Sequence, residues 1–146
     1  MFRMFVIVLI LLYNINIILT ESVLHMLHRK NTDKYIFETY GVSAEFPWMQ
    51  YPSFAAYRHS ANKKWFAVIM DLPKTKFGLN DETIVSVMNL KCDPIMIGSL
   101  HKDEGIFPAY HMNKNYWISV FLDGSVEDEK IKWLIDISFE LTYKKK

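Results

Sequence analysis

Residues 89–124 read NLKCDPIMIGSLHKDEGIFPAYHMNKNYWISVFLDG, and they carry most of the information about the fold. Asp93 followed by Pro94 predicts a helix start, because aspartate is a favoured N-cap and proline fits the first helical position. The short helix is expected over residues 95–101. PAYHMNK (108–114) is then expected as a loop and NYWISVFL (115–122) as a strand. Polar residues that can contact a partner therefore lie between segments typical of a core.

Upstream of this stretch, the sequence predicts three further strands. FAAYRH (54–59) and KWFAVIMD (64–71) are joined by the short polar turn SANK (60–63), which predicts a hairpin. The third strand, IVSVMNL (84–90), follows the loop LPKTKFGLND (72–81). Apolar and polar residues do not alternate strictly in KWFAVIMD, which favours a central strand buried on both faces.

Two longer helices are predicted at the ends of the domain. Asn31 or Thr32 is expected to cap the first, which Gly41 ends as the C′ residue, with a buried stripe formed by Tyr35, Ile36 and Tyr40. The second is expected over about 126–142, where Ser125 and Asp128 have the spacing of a capping box. Its buried face is predicted to contain Ile131, Leu134, Ile135 and Ser138.

These elements predict an α+β fold: a compact single domain whose mostly antiparallel sheet has helices packed on one face. A length of 146 residues is sufficient for one domain with a real core. The only cysteine, Cys92, excludes an internal disulfide and fits a reducing compartment. The formal net charge is +1, so the charge of the whole chain does not itself favour nucleic acid.

The N-terminal residues 1–25 form a hydrophobic leader that differs from the rest of the chain. Met4–Leu19 has 16 residues, all apolar except two asparagines, and Arg3 precedes it. A spanning helix needs about 20 apolar residues, so the segment predicts a poor span. Three interpretations stay open: a start codon assigned too early, a membrane anchor or uncleaved signal, and an ordinary docked helix. The domain proper is placed at 26–146 and is expected to be cytoplasmic, or membrane-anchored if the leader is genuinely translated.

Several motifs in order give this domain a family resemblance. They are YG…PW near its start, KWFA, NLKCDP, GIFPAYHMNK with the following WISV, LDG, and the S-x-x-L-T ending. From about Asn31 to Thr142 the chain resembles the MmcQ/YjbR family. This resemblance implies a compact fold similar to the frataxin/CyaY proteins. It also implies DNA binding through a double-wing arrangement.

The distribution of charge and two similar turns indicate where DNA would bind. Basic residues dominate the 58–76 window, whereas the C-terminal helix is acidic. Asn62-Lys63-Lys64-Trp65 and Asn113-Lys114-Asn115-Tyr116-Trp117 each place asparagine and lysine just before a strand that begins with tryptophan. Two such tips can straddle a duplex, with lysine and arginine on phosphates and asparagine on phosphate or an adenine edge. The candidate DNA-contacting residues are Arg58, His59, Lys63, Lys64, Lys74, Lys76, His111, Asn113 and Lys114.

The alternatives to this hypothesis come from the same residues. Lysine and asparagine are common at turns, where they are simply solvated. The chain can equally be a protein-interaction or adaptor module that uses the PAYHMNK surface or the acidic helix. With few phosphate contacts, DNA binding is expected to be weak and salt-dependent.

The sequence predicts no catalytic residues, no metal site, no cofactor and no small-molecule substrate, and it favours a monomer. Cys92 next to Lys91 is interpreted as a small buried hydrophobe, because no complete set of catalytic partners accompanies it. Tyr110 and His111 are expected to satisfy buried backbone groups in the loop.

Overall fold

A computed structural model describes residues 2–143 as an open, five-stranded antiparallel sheet with three α-helices. The strand order is β1-β2-β3-β5-β4. In chain order the elements are α1 (Phe2–Tyr40), β1 (Ala55–Arg58), β2 (Trp65–Pro73), β3 (Ile84–Lys91), α2 (Pro94–Leu100), β4 (Ile106–Pro108), β5 (Trp117–Phe121) and α3 (Asp128–Tyr143). A turn of 3₁₀ helix, Lys74–Phe77, follows β2. The predicted α+β class and antiparallel sheet are confirmed.

The sheet contains one strand that the sequence did not predict. β4 is only three residues long, and it pairs with the far edge of β5, with Ile106 opposite Val120. The predicted hairpin is present, and β2 is buried along most of its length between β1 and β3. The predicted helix start at Asp93 is also present, since its side chain accepts a hydrogen bond from the Ile95 amide at 2.9 Å.

The two faces of the sheet are covered differently. On one face α1, α2 and α3 enclose the main core, where Ile36, Leu134 and Ile135 are buried against Phe66 and Met88. On the other face loops and the 3₁₀ turn, without an α-helix, cover the sheet. Their aromatic side chains pack on its apolar residues: Val68, Met70 and Leu72 beneath Trp48, Phe54, Phe77 and Tyr110. The prediction of helices on one face is therefore confirmed.

α1 is one continuous helix and does not begin at Asn31 or Thr32. Thr32 lies inside it, and its hydroxyl donates to the carbonyl of His28 at 2.9 Å, so the predicted cap is wrong. Two side chains dock this part of α1 on the domain: His28 Nδ1 lies 3.1 Å from Asp128, and Arg29 Nη1 lies 3.2 Å from Asp71.

The first half of α1 leaves the domain. Apolar side chains from Phe2 to Leu19 are between 39% and 89% exposed. The two asparagines do not interrupt the helix, which by length and composition alone could cross a membrane. The boundary placed between residues 25 and 26 falls inside α1, since docking contacts begin near His28.

The predicted capping box before α3 is absent. α3 begins at Asp128, and the Ser125 hydroxyl instead donates to Asp123 at 2.5 Å. The predicted buried face of α3 is correct: Ile131, Leu134, Ile135 and Ser138 are all buried. The helix is therefore positioned by its apolar face rather than by that cap.

Candidate functional site

One end of the sheet brings the two predicted tips together. β1 ends at Arg58, which pairs with Trp65 at the start of β2. β3 ends at Lys91, which pairs with Trp117 at the start of β5. Because neighbouring strands are antiparallel, the 59–64 turn, the end of β3 and the start of β5 meet at the same end of the sheet. The C-terminal end of α3 also reaches this end of the sheet, where Thr142 lines a cavity.

A cavity of about 390 Å³, called the tip cavity below, lies between the tips. Its cations are those of Arg58, Lys63, Lys64 and Lys91, and its walls include Trp65, Met112 and Trp117. Within residues 2–143 its lining contains no carboxylate. The two tips thus form a basic cavity with aromatic walls.

The lysines of the two tips are available to an anion. Lys63, Lys64 and Lys114 are exposed and Lys91 is partly buried. Across the described part of the chain, none of the four forms an ion pair. Unpaired positive charges around a cavity create a potential that attracts anions.

Arg58 has a different environment from these lysines. Its Nε lies 2.8 Å from a carboxylate oxygen of Glu45, so its charge is largely neutralised. Its guanidinium also lies 5.0 Å from the centre of the Trp65 ring, within cation–π range. Arg58 therefore positions Trp65 in addition to lining the cavity.

The asparagines explain why the tips look alike in sequence. Asn62 Oδ1 accepts the Lys64 amide and Asn113 Oδ1 accepts the Asn115 amide, both at 2.9 Å. Each is a local turn in which asparagine replaces a backbone acceptor. Asn62 Nδ2 also donates to the Thr142 carbonyl at 3.0 Å, at the end of α3. The oxygen of Asn113, a predicted DNA contact, is therefore already used to shape its tip.

His59 does not lie on the surface, contrary to its predicted role as a polar contact at the tip. It is 1% exposed and packs on Phe139 with ring centres 4.2 Å apart. The Thr142 hydroxyl donates to the Ser138 carbonyl at 2.7 Å, so it accepts from His59 Nε2 at 2.6 Å. Burial, with a smaller contribution from Lys64, lowers the pKa of His59. A phosphate cannot reach this ring.

Lys74 and Lys76 lie at the opposite end of the sheet. Trp65 and Pro73 are the ends of β2, so at about 3.3 Å per residue roughly 26 Å separates them. Lys74 is also 3.8 Å from both Asp81 and Asp123, which neutralise it. The basic 58–76 window is thus split, and the structure does not place these two lysines beside the tip cavity.

His111 is exposed but faces a second cavity, of about 240 Å³, on the face of the sheet that the helices do not cover. The loop is held from below: Ser119 Oγ accepts the Tyr110 amide at 2.9 Å, and Asn89 Nδ2 donates to the Tyr110 carbonyl at 2.8 Å. The expected relation is therefore reversed, because buried side chains of the sheet satisfy the loop backbone. Ser119 and Asn89 also bond each other at 2.5 Å.

Among residues 2–143, Lys91 is the one cation of the tip cavity that the sequence did not predict as a DNA contact. The uncharged residues that line the cavity were not predicted either: Trp65, Met112, Trp117, Leu141 and Thr142. In sequence Lys91 lies beside Cys92 and far from both tips, so only the pairing of β3 with β5 reveals its position. Only a prediction of the pairing register between β3 and β5 could have placed Lys91 beside the second tip.

Cys92 is buried, as the sequence predicted. It is 1% exposed, and burial raises the pKa of its thiol, which disfavours the nucleophilic thiolate. Within residues 2–143 no three His, Cys, Asp or Glu side chains are grouped to hold a metal ion.

A family model described as YjbR matches residues 37–141. The chain belongs to the YjbR family. "Uncharacterized protein YyaQ" of Bacillus subtilis (strain 168) is 41% identical over 117 residues, covering 80% of this chain and 99% of YyaQ. A crystal structure of a protein from Pseudomonas syringae is 44% identical, with a TM-score of 0.76 over 78% of this chain and 97% of that one. The MmcQ/YjbR resemblance is thereby confirmed.

A more distant structure shares the fold alone. It is the Deinococcus radiodurans protein DR2400, 23% identical, with a TM-score of 0.59 over 78% of this chain and 77% of that one. The names of these relatives specify neither a ligand nor a reaction. A function for this YjbR domain must therefore be argued from its own site.

Proposed function

We propose that this YjbR domain binds nucleic acid weakly, through phosphates that contact the basic tips. The observation that carries the proposal is the tip cavity, where Lys63, Lys64 and Lys91 lie without an acidic partner among residues 2–143. Lys114 on the second tip adds a fourth cation. Clustered lysines are the usual means of neutralising a phosphate backbone.

Four lysines set the strength and the salt dependence of this binding. Each neutralised phosphate releases counterions, and for duplex DNA the slope of log K against log salt is about −0.9 per contact. Four contacts therefore predict a slope of roughly −4 and an affinity that disappears above moderate salt. The side-chain oxygens of Asn62 and Asn113 are used in the turns, and paired recognition of an adenine edge needs such an oxygen, so little discrimination between base sequences is expected.

The test is fluorescence anisotropy of a labelled duplex titrated with the full chain at several salt concentrations. The full chain needs a neutral detergent, because the first half of α1 is apolar and exposed. Lys63→Glu, Lys64→Glu and Lys114→Glu should each weaken binding severalfold and make the slope about one unit shallower. The matched control is Lys76→Glu, an exposed lysine at the other end of the sheet, which should change little. Equal losses from Lys76→Glu and Lys63→Glu would contradict the tip assignment.

A second candidate, a protein-interaction module, rests on the other face of the sheet. The 240 Å³ cavity is lined by aromatic and apolar residues including Trp48, Tyr51, Phe54 and Met70. Met49, next to Trp48 in sequence, is 97% exposed, and Tyr51 is 53% exposed, so apolar side chains on this face are available to a partner. This candidate predicts that Tyr51→Asp abolishes capture of a protein partner, whereas Lys63→Glu leaves it intact.

The proposal assigns no catalytic role to the domain. Cys92, the one nucleophile weighed from the sequence, is buried and lies outside the lining of the tip cavity. A binding function therefore accounts for the site better than an enzymatic one does.

A further inference from the structure

We infer that the tip cavity accepts an unpaired base, so that the domain prefers single-stranded nucleic acid to duplex. This inference rests on the proposed function and deepens it by naming the form of the ligand. It depends on the shape and walls of the cavity, whereas the proposed function depends only on the lysines.

The cavity is the first observation. Its volume of about 390 Å³ falls in the range of roughly 300–1,000 Å³ that is typical of small-ligand sites. A site that contacts only phosphates needs exposed cations and no recess. A base can fill a recess, but a base within a duplex is stacked and paired, and it must be extruded at a cost first. An unpaired strand enters without that cost.

The aromatic walls are the second observation, and the two indoles are not equivalent. Trp65 already has Arg58 over its ring at 5.0 Å and Trp48 against its edge, with ring centres 5.4 Å apart. Trp117 is half-buried, and among residues 2–143 it makes neither a ring–ring nor a cation–π contact. Trp117 is therefore the free platform. Stacking on such a ring tolerates any base, because every base has a π face.

The positions of the cations fit a strand that passes over this platform. Lys91 pairs with Trp117 across the two strands, and Lys63 and Lys64 lie on the opposite tip. A base stacked on Trp117 thus has cations on two sides for its flanking phosphates. Basic grooves with aromatic platforms are the general means of binding single strands without sequence preference.

The experiment compares three labelled oligonucleotides and one unlabelled nucleotide on the full chain in neutral detergent at low salt. They are a 12-nucleotide thymidine strand, a duplex of equal length, an abasic strand of equal length, and thymidine monophosphate followed by the quenching of tryptophan fluorescence. The single strand is expected to bind at least 5-fold more tightly than the duplex and the abasic strand, the lower end of the range for one stacked base. Comparing the affinity for the monophosphate with that for the strand distinguishes a site for free nucleotides from a site that needs a strand.

Substitutions locate the effect. Trp117→Leu should weaken single-strand binding about 5-fold or more and leave duplex binding unchanged, whereas Trp117→Phe should restore most of it. Trp133→Leu is the matched control, since Trp133 is 48% exposed on α3 and does not line the cavity. If Trp117→Leu does not fold, the abasic strand on the unaltered chain decides.

The outcomes separate the two proposals. The single strand, the abasic strand and the duplex could bind with equal affinity while the charge-reversal variants bind all three more weakly. That result overturns the inference and leaves the proposed function standing. The absence of binding to all three overturns both. Monophosphate binding as tight as strand binding also overturns the inference, because the strand then contributes nothing.

Discussion

At the scale of single residues, His59 links the basic tip to the core. Its backbone bonds to Lys63 and Lys64 form the turn of the first tip, while its ring packs on Phe139 and bonds Thr142. Nδ1 of the ring has no partner among the described residues. A second proton on this ring would place a charge in the core beneath two lysines, so the neutral form is the one that the fold stabilises.

The pH dependence of stability should therefore contain a contribution from His59. The pKa of the folded form is lowered from 6.5, so the unfolded chain binds the proton more readily. The free energy of unfolding is then fully maintained above about pH 7 and falls as the pH drops through 6.5. Thermal melts between pH 8 and 5 should show a smaller loss in His59→Phe, which keeps the aromatic packing but cannot titrate. The control is His111→Gln, an exposed histidine, and a pH profile identical in all three proteins would refute this role.

At the scale of elements, local signals in the sequence predicted those structures that depend on neighbouring residues. The hairpin, the Asp93 cap and the buried face of α3 follow from turn residues, capping and periodicity, and all are present. β4 was missed because three residues give no periodic signal. The capping box at Ser125 was predicted because Ser125 and Asp128 have the right spacing. The prediction was wrong because the Ser125 hydroxyl donates to Asp123 instead.

The same logic explains the candidate site. The turns that carry Lys63, Lys64 and Lys114 were predicted because turns are local features. Lys91 was missed and His59 was misplaced because their positions depend on partners far along the chain, Trp117 and Thr142. Lys74 and Lys76 were grouped with the tips because nearness in sequence does not show that a strand separates them.

Gly105, just before β4, lies against the turn that precedes α3, so the stability of the domain should be sensitive to a side chain at this position. Its φ is +79°, and a Cβ there would lie 2.2 Å from Ser125 Oγ. Gly105→Ala should destabilise the domain by about 2 kcal/mol or more, combining left-handed strain with the clash. Gly98→Ala is the matched control, because nothing lies within 4 Å of its added methyl group and it is in a helix. It should be neutral or stabilising by up to about 1 kcal/mol. Urea denaturation measures both, and equal effects would contradict the assignment.

At the scale of the whole molecule, the net charge is close to zero, but the charges are unevenly distributed. The net charge is +1, yet unpaired lysines gather at one end of the sheet, while acidic groups of α3 are used inside the fold. Asp136 accepts hydrogen bonds from Tyr35, at 2.7 Å, and from Tyr40. Burial, together with these bonds, raises the pKa of both tyrosines. The acidic helix α3 is thus partly structural, and its C-terminal residues Leu141 and Thr142 line the tip cavity.

The long helix α1 also belongs to this scale. Residues 1–25 were separated from the domain by composition, but the helix that they begin is the helix that docks on α3 through His28. An isolated helix gains little stability in water, and this one exposes apolar side chains on all sides. Such a surface needs a cover. A bilayer provides one, since about 20 residues of helix match its apolar thickness.

We therefore expect the full chain to bind lipid, with the domain on the cytoplasmic side. Arg29, Lys30 and Lys34 follow the apolar segment on the domain's side, against Arg3 in front, and such an excess of positive charge is typical of the cytoplasmic flank. The chain should float with neutral phosphatidylcholine vesicles, which exclude attraction to the basic tips. Leu9→Lys with Leu12→Lys should abolish flotation, since each charge costs about 3 kcal/mol at mid-bilayer. Met49→Lys, an exposed apolar residue of the domain, is the control and should still float. If the unaltered chain stays unbound, the expectation of a lipid anchor in residues 1–25 is wrong.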